Sequence, residues 1–318
     1  MSCKEYIWGK NVPYNNKNNK ISKMKIDFEC DYEKAGSIFM EKIASPIEED
    51  SKKAIDTFTF LREIKRGYSY NTFCDKPYIV PFLSNETKKA VIVVSGGAYA
   101  YKTMDGEVGE GEKIAKILND NGYSAFLLWY RSNPYRYPVP VLDLQRAIRY
   151  IKYKSKEFRI DPDDINIIGF SAGGNLCASF INIHRGKAFF PQKYEPDEID
   201  KQSDSVATCA LIYPAVTYEF NPAMLYASFD KKEVDNLKKR EELIKELNLT
   251  NHYSSSDIPQ FVSYGDKDNL VNNEETKKYI KKALDCGTKI TVKEAKNQQH
   301  GFDCKYFIDD YLQFLKNN

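Results

Sequence analysis

Residues 169–174, Gly-Phe-Ser-Ala-Gly-Gly, could present a reactive hydroxyl group. Ser171 follows the apolar run 165–168 and precedes the helix-forming run 175–181, so we predict a sharp turn from a strand into a helix. The flanking glycines avoid the collisions that a Cβ atom would make in such a strained turn. The pattern G-x-S-x-G at this kind of turn is typical of a nucleophilic serine.

A nucleophilic serine needs a base, which is usually a histidine. Of the three histidines in the chain, His300 follows the last predicted strand, which is where an α/β enzyme with the order serine, acid, histidine carries its base. His184 ends the helix after the serine, and we expect it to cap carbonyl groups there. We expect His252 to lie at the surface.

The base in turn needs a carboxylate that orients it. Asp266 and Asp268 both stand on the loop after the predicted strand 260–264, at the position this order requires. Aspartate is also common in turns, so either residue could be a turn residue only. The residue pattern alone leaves both open as the acid.

Ester or amide cleavage also needs donors for the developing oxyanion, each worth about 3 kcal/mol in the transition state. The backbone N–H of Ala172 offers one, at the start of a helix whose dipole assists. The loop 95–99, Ser-Gly-Gly-Ala-Tyr, offers the second through Gly97 or Ala98, because its glycines let the backbone approach substrate closely. We expect Tyr99 to contact substrate beside this loop, although a buried core position would also suit it.

The elements that position these groups alternate along the chain. We predict strands at 78–83, 90–94, 124–129, 165–170, 209–213, 260–264 and 290–292. We predict helices at 111–119, 142–156, 174–183, 274–284 and 306–315, and a weaker one at 32–40. Strands that alternate with helices indicate a mainly parallel sheet covered on both faces. An insertion at about 217–255, with one amphipathic helix over 231–247, is expected to form a small cap.

Composition excludes several classes of protein. The 318 residues are 42% hydrophobic, and the formal net charge of +2 comes from interspersed Lys, Arg, Asp and Glu, which does not favour a nucleic-acid partner. The seven cysteines are scattered, which argues against a disulfide framework or a zinc site. We find neither a signal-peptide pattern nor an apolar run that could span a membrane, so the expected location is cytoplasmic.

Several motifs together resemble the α/β-hydrolase esterases related to hormone-sensitive lipase, and within them the carbohydrate (xylan-type) acetylesterase-like group. The matching segments are 95–99, 130–138, 143–149, 160–162, 169–174, 265–271 and 300–302. The resemblance implies an α/β-hydrolase fold with a mostly parallel central sheet, helices on both faces and a small or minimal cap. It covers about residues 76–316, and we therefore expect a catalytic domain at 76–318 with a partly irregular N-terminal extension, 1–75, packing on it.

The resemblance also assigns roles and shows departures. Its G-x-x-D-x-x-V pattern places Asp268, rather than Asp266, as the acid. Ala98 stands where the group carries a third glycine, and Asn272 where it carries proline. The loop 104–110 is longer than the group's usual loop, and 20–60 has no counterpart in it.

The sequence thus predicts a serine carboxylesterase for short acyl esters, acetyl esters of carbohydrates among them, with Ser171, His300 and Asp268 as its triad. Two alternatives remain: an amidase or peptidase on the same fold, and a catalytically silent binding protein. The expected partner is a small-molecule ester, with no membrane and no nucleic acid, and assembly into a homo-oligomer stays open. We expect no metal and no organic cofactor, because such a triad supplies its own nucleophile and base.

Overall fold

The computed structural model describes residues 4–15, 30–44, 48, 50–65, 76–104 and 109–318. The strands are β1 (Glu5–Tyr6), β2 (Tyr78–Phe82), β3 (Ala90–Val94), β4 (Ser124–Trp129), β5 (Ile165–Phe170), β6 (Thr208–Ile212), β7 (Gln260–Gly265) and β8 (Ile290–Ala295). In this part of the chain they form one sheet in the order β1-β2-β4-β3-β5-β6-β7-β8. The β1–β2 and β2–β4 pairs are antiparallel, and the pairs from β4 through β8 are parallel.

The central strands are buried on both faces, as their apolar runs predict. In β3, Ile92 and Val94 pack into the core on one face of the sheet, whereas Val91 and Val93 pack into the core on the other. Alternate residues of a strand point to opposite faces, so a strand between two helical layers needs apolar side chains at every position. The predicted bounds of β3, β4 and β5 agree with the observed ones for this reason.

Helices cover both faces, which confirms the predicted architecture. The helices are α1 (Tyr32–Ala44), α2 (Ser51–Lys65), α3 (Glu112–Asp120), α4 (Val139–Tyr153), α5 (Ser155–Phe158), α6 (Ala172–Ser179), α7 (Pro222–Ser228), α8 (Lys231–Asp235), α9 (Leu237–Glu246), α10 (Asn273–Asp285) and α11 (Ile308–Lys316). Helices α3 and α11 pack on one face, and α4, α6 and α10 on the other. No helix within the described ranges is long and apolar enough to cross a membrane.

The N-terminal segment contributes both to the sheet and to a helical layer. Strand β1 pairs with β2 at the sheet edge. Helices α1 and α2 pack on each other and on α7, and the Phe58 ring of α2 stacks on Phe39 of α1 with 4.5 Å between ring centroids. Parts of the predicted extension, 16–29 and 66–75 among them, lie outside the described residues.

The insertion between β6 and β7 contains the short helices α7, α8 and α9. The prediction of one continuous helix over 231–247 is wrong. Asn236 interrupts it with an extended backbone, φ −83° and ψ 108°, and its side-chain oxygen accepts a hydrogen bond from the Lys239 N–H. An asparagine that caps the next helix in this way ends the preceding one, because the cap residue cannot itself be helical.

Candidate active site

Ser171 lies at the turn between β5 and α6, with φ 51° and ψ −116°. A Cβ atom on Gly169 would lie 2.2 Å from the Gly173 carbonyl oxygen, and one on Gly173 would lie 2.2 Å from the carbonyl oxygen of Val94. Both glycines are therefore required by the backbone that surrounds them, one within the turn and one against the end of β3. This geometry projects the serine hydroxyl above the carboxyl end of the sheet.

His300 follows β8 and connects the serine to a carboxylate. Its Nε2 lies 2.8 Å from Ser171 Oγ, and its Nδ1 lies 2.8 Å from Asp268 Oδ2. In a neutral imidazole one ring nitrogen donates and the other accepts. A proton on Nδ1 that is donated to Asp268 leaves Nε2 free to accept from the serine hydroxyl, which is the arrangement a general base requires.

The structure brings Asp268, and not Asp266, to the histidine. The Asp268 side chain is 1% exposed, and its Oδ1 accepts hydrogen bonds from the N–H groups of Leu270 (2.9 Å) and Val271 (2.8 Å). These bonds fix the carboxylate so that Oδ2 faces the imidazole. Asp266 is exposed, and its backbone N–H donates to the Ala295 carbonyl oxygen.

The loop after β3 adopts an unusual backbone. Gly97, Ala98 and Tyr99 all have positive φ, at 109°, 53° and 57°. The Gly97 carbonyl oxygen accepts from the N–H groups of Ala100 and Tyr101, which closes the loop. Within the described ranges, the N–H groups of Gly97, Ala98 and Ala172 have no hydrogen-bond acceptor, so these three donors are available for an anion.

Tyr99 occupies the buried core position, which is the alternative that the sequence analysis left open. Its side chain is 2% exposed, and its hydroxyl donates a 2.8 Å hydrogen bond to Asn175 Oδ1 in α6. The expected contact with substrate finds no support in this position, because the ring and its hydroxyl are already engaged in the core. Tyr99 instead ties the loop after β3 to the helix that follows Ser171.

His184 differs from the sequence interpretation, and Asn272, which departs from the related group, has a structural role. Among the described residues the His184 side chain caps no carbonyl group, and its Nε2 is hydrogen-bonded to the Tyr137 hydroxyl. Burial, aided by the charge of Lys187, lowers the pKa of His184 from 6.5 to about 4. Asn272 caps α10, because its side-chain oxygen accepts a 2.9 Å hydrogen bond from the Glu274 N–H. The asparagine that replaces the proline of the related group is therefore a favourable N-terminal cap for this helix.

Glu110 is a residue of the site that sequence reasoning missed. Its buried carboxylate accepts a 2.8 Å hydrogen bond from the Gly96 N–H, directly before the loop donors, and a 3.0 Å hydrogen bond from the Tyr213 hydroxyl. Burial raises the pKa of this carboxyl group, while its hydrogen bonds and the charge of His300 oppose that rise. The only signal in the sequence was an acidic residue close to the start of a helix, a position that usually reflects capping alone. Of the neighbouring loop, which we noted for its length, residues 105–108 lie outside the described ranges.

A mostly parallel sheet with a serine turn after β5, an aspartate loop after β7 and a histidine loop after β8 defines an α/β-hydrolase, the class that the sequence predicts. The profile of the BD-FAE family matches residues 79–283, well over half of the chain. The chain therefore belongs to the BD-FAE family of hormone-sensitive-lipase-like esterases, and the predicted resemblance is confirmed.

Curated relatives include the acetylxylan esterase of Xylanibacter ruminicola, which is 34% identical over 104 residues, 32% of this chain and 21% of that protein. Esterase LipQ of Mycobacterium tuberculosis is 24% identical over 220 residues, 67% of this chain and 50% of that protein. This chain thus spans half or less of the length of these relatives.

Solved structures agree on the fold. The acetyl ester-xyloside bifunctional hydrolase of Caldicellulosiruptor lactoaceticus is similar with a TM-score of 0.62 and 27% identity, over 76% of this chain and 86% of that one. A truncated carbohydrate esterase from gut microbiota has a TM-score of 0.59 at 21% identity, over 77% of this chain and 92% of that one, and supports the fold alone.

Proposed function

We propose that this chain is a serine carboxylesterase that hydrolyses short-chain acyl esters, in particular acetyl esters of carbohydrates. The observation that carries the proposal is the pair of 2.8 Å contacts that run from Asp268 through His300 to Ser171. A serine, a histidine and a buried carboxylate in this order form the arrangement that activates a hydroxyl group as a nucleophile.

In the proposed reaction, Ser171 Oγ attacks the acyl carbonyl carbon while His300 Nε2 takes the hydroxyl proton. Asp268 holds the imidazole in place and stabilises the imidazolium that forms. The N–H groups of Ala172 and of Gly97 or Ala98 donate to the oxyanion. Collapse of the tetrahedral intermediate breaks the ester C–O bond, and His300 gives its proton to the departing alcohol. Water then attacks the acyl-enzyme by the same route and releases the acid.

The acyl group and the alcohol are proposed from the relatives. The names of two of them include acetylxylan and acetyl ester-xyloside substrates, and those names describe proteins that this chain matches only in part or at modest identity. An acetyl group needs little room beside the serine, and Ser171 is partly exposed, so a carbohydrate ester can reach it from solvent.

We also propose that residues 76–318 form the catalytic unit and that 1–75 are an extension of it. The residues given a chemical role all lie between Gly97 and His300. The described parts of the extension pack on this unit through β1, α1 and α2.

The test is hydrolysis of p-nitrophenyl esters from acetate to octanoate by the wild type and by Ser171→Ala. We expect turnover that falls steeply beyond the shortest acyl chains, and a loss of about 10⁴-fold or more in kcat for Ser171→Ala, because the nucleophile is removed. Residual activity near that of the wild type would contradict the role of Ser171.

Matched substrates separate the alternatives. Acetyl esters and acetyl amides of the same aromatic leaving group are compared, together with labelling by a serine-reactive phosphonate. Faster cleavage of amides than of esters would favour an amidase or peptidase. A folded protein that cleaves neither and takes no label would favour a binding protein.

A further inference from the structure

Glu110 is a buried carboxylate that the proposed reaction does not use as acid, base or nucleophile. It is 3% exposed and has three hydrogen-bond donors around it. Oε2 accepts from the Gly96 N–H at 2.8 Å and from the Thr103 hydroxyl, and Oε1 accepts from the Tyr213 hydroxyl at 3.0 Å. Each partner belongs to a different segment, so this one carboxylate joins the loop after β3, the residues that follow that loop, and the end of β6.

Gly96 lies between Glu110 and the nucleophilic serine. A Cβ atom on Gly96 would lie 2.9 Å from Glu110 Oε2, from the Phe170 carbonyl oxygen and from Ser171 Cβ. The backbone of Gly96 therefore lies close to both the carboxylate and the serine turn, with no room for a side chain between them. The candidate oxyanion donors Gly97 and Ala98 follow directly, so the Gly96–Glu110 bond fixes where they begin.

Tyr213 connects Glu110 to the base, His300. Its ring lies 4.9 Å from the His300 ring, centroid to centroid, and 5.0 Å from that of Phe302. Its backbone has φ 37°, and its N–H donates to the Ser263 carbonyl oxygen. The hydrogen bond from its hydroxyl to Glu110 thus holds the ring that packs against the imidazole.

We infer that Glu110 is a positioning residue that sets the oxyanion loop against Ser171 and holds Tyr213 against His300. The inference rests on the ester hydrolysis proposed above. Glu110 acts through Gly96 and Tyr213 and touches neither substrate nor the reacting atoms. Displacing an oxyanion donor by about 1 Å weakens binding of the transition state more than binding of the substrate in its ground state. Such a residue therefore affects kcat more than KM.

The variants Glu110→Ala and Glu110→Gln test this with p-nitrophenyl acetate. We expect Glu110→Ala to lower kcat by about 10- to 100-fold with KM within about threefold of the wild type, because the loop loses its fixed point. Glu110→Gln keeps a carbonyl oxygen that can accept from the Gly96 N–H, and we expect it to recover kcat to within about fivefold of the wild type.

Asp204→Ala is the matched control. Asp204 is also a buried carboxylate that accepts from a backbone N–H, that of Gly186, and from a side chain, that of Gln145. It precedes β6 and so lies at the amino end of the parallel strands, opposite the end that bears Ser171. We expect this variant to unfold at a lower temperature while the kcat of its folded fraction stays within about twofold of the wild type.

The outcomes separate clearly. An active wild type with an equally active Glu110→Ala overturns this inference and leaves the proposed function intact, whereas a wild type that neither turns over esters nor takes a phosphonate label contradicts the proposed function. Equal losses in Glu110→Ala and Glu110→Gln would show a charge effect on His300 and overturn the positioning role. If Glu110→Ala does not fold, the double variant Thr103→Val/Tyr213→Phe removes two of the three donors, and an unchanged kcat there overturns the inference.

Discussion

The indole N–H of Trp8 donates a 2.9 Å hydrogen bond to Asp143 Oδ1, across 135 residues of sequence. Asp143 lies fully buried in α4 and also receives the guanidinium of Arg131, whose Nη1 donates to the Pro13 carbonyl oxygen at 2.6 Å. The N-terminal segment is therefore held to the central helix through a buried ion pair. A buried charge that loses one of its partners is costly, so loss of these contacts should lower the free energy of unfolding.

Trp8→Phe tests this attachment. The variant keeps an aromatic ring in the core but removes the donor to Asp143, and we expect the free energy of unfolding to fall by about 2 kcal/mol, with kcat unaffected. Urea unfolding followed by circular dichroism measures it. Tyr6→Phe, at an exposed neighbouring ring, is the control, and equal stability of both variants would contradict the role of the Trp8 contact.

Asp268→Asn and Asp266→Asn are a matched pair for the acid. The amide at 268 offers an N–H to the imidazole and favours the wrong tautomer, so we expect kcat to fall by about 10³- to 10⁴-fold. Asp266 is exposed, and its side chain makes no hydrogen bond within the described ranges. We expect its variant to stay within about twofold of the wild type. A larger loss at 266 than at 268 in kcat for p-nitrophenyl acetate would reverse the assignment.

Ser171→Gly should be more stable than Ser171→Ala, although both lack the nucleophile. The backbone at this position, φ 51° and ψ −116°, is strained for any residue with a Cβ atom. Glycine relieves a strain of about 1–3 kcal/mol, offset in part by about 0.4–1 kcal/mol from its freer unfolded chain. Thermal unfolding of the two variants in one buffer measures the difference. A more stable alanine variant would show that the turn stores no strain.

Acid should destabilise the protein through His184. Burial, aided by the charge of Lys187, lowers its pKa from 6.5 to about 4, and the unfolded chain therefore binds a proton on this residue that the folded chain does not bind between these values. Stability contributed by the neutral imidazole is present above pH 6.5 and is lost as the pH falls towards 4, by about 2–3 kcal/mol in total.

His184→Gln should flatten this part of the pH profile. Glutamine does not titrate and can still form a hydrogen bond with the Tyr137 hydroxyl. Unfolding temperatures from pH 7 to pH 4 compare it with the wild type and with His252→Gln, which changes an exposed histidine. A profile of His184→Gln parallel to that of the wild type would contradict the buried neutral histidine.

Sequence patterns predict the sheet and the order of the site because both depend on local chain chemistry. Runs such as 90–94 are apolar at every position, since two helical layers cover them, and no other local structure suits so short a run. The Ser171 turn requires glycine on both sides for reasons that hold in any such turn. His300 was placed by its position after the last strand.

Other features depend on packing that no local pattern reveals. Helix α2 was missed because Asp56, Thr57 and Thr59 are polar residues at buried positions, and they interrupt the apolar stripe that marks an amphipathic helix. Glu110 gains its role only when the fold brings it to Gly96 and Tyr213. The break at Asn236 was missed because the apolar residues on both sides of it keep helical spacing.

The groups at the proposed site come from the ends of β3, β5, β7 and β8, and β6 separates the strand of the serine from the strand of the aspartate. The constellation is therefore complete only after β8 has paired with β7, a contact between strands that are distant from the serine in sequence. Pairing of this kind is slow compared with helix formation. During refolding, turnover should thus return later than the circular dichroism signal of the helices. Specific activity at any time then measures the fraction of molecules in which the sheet is complete.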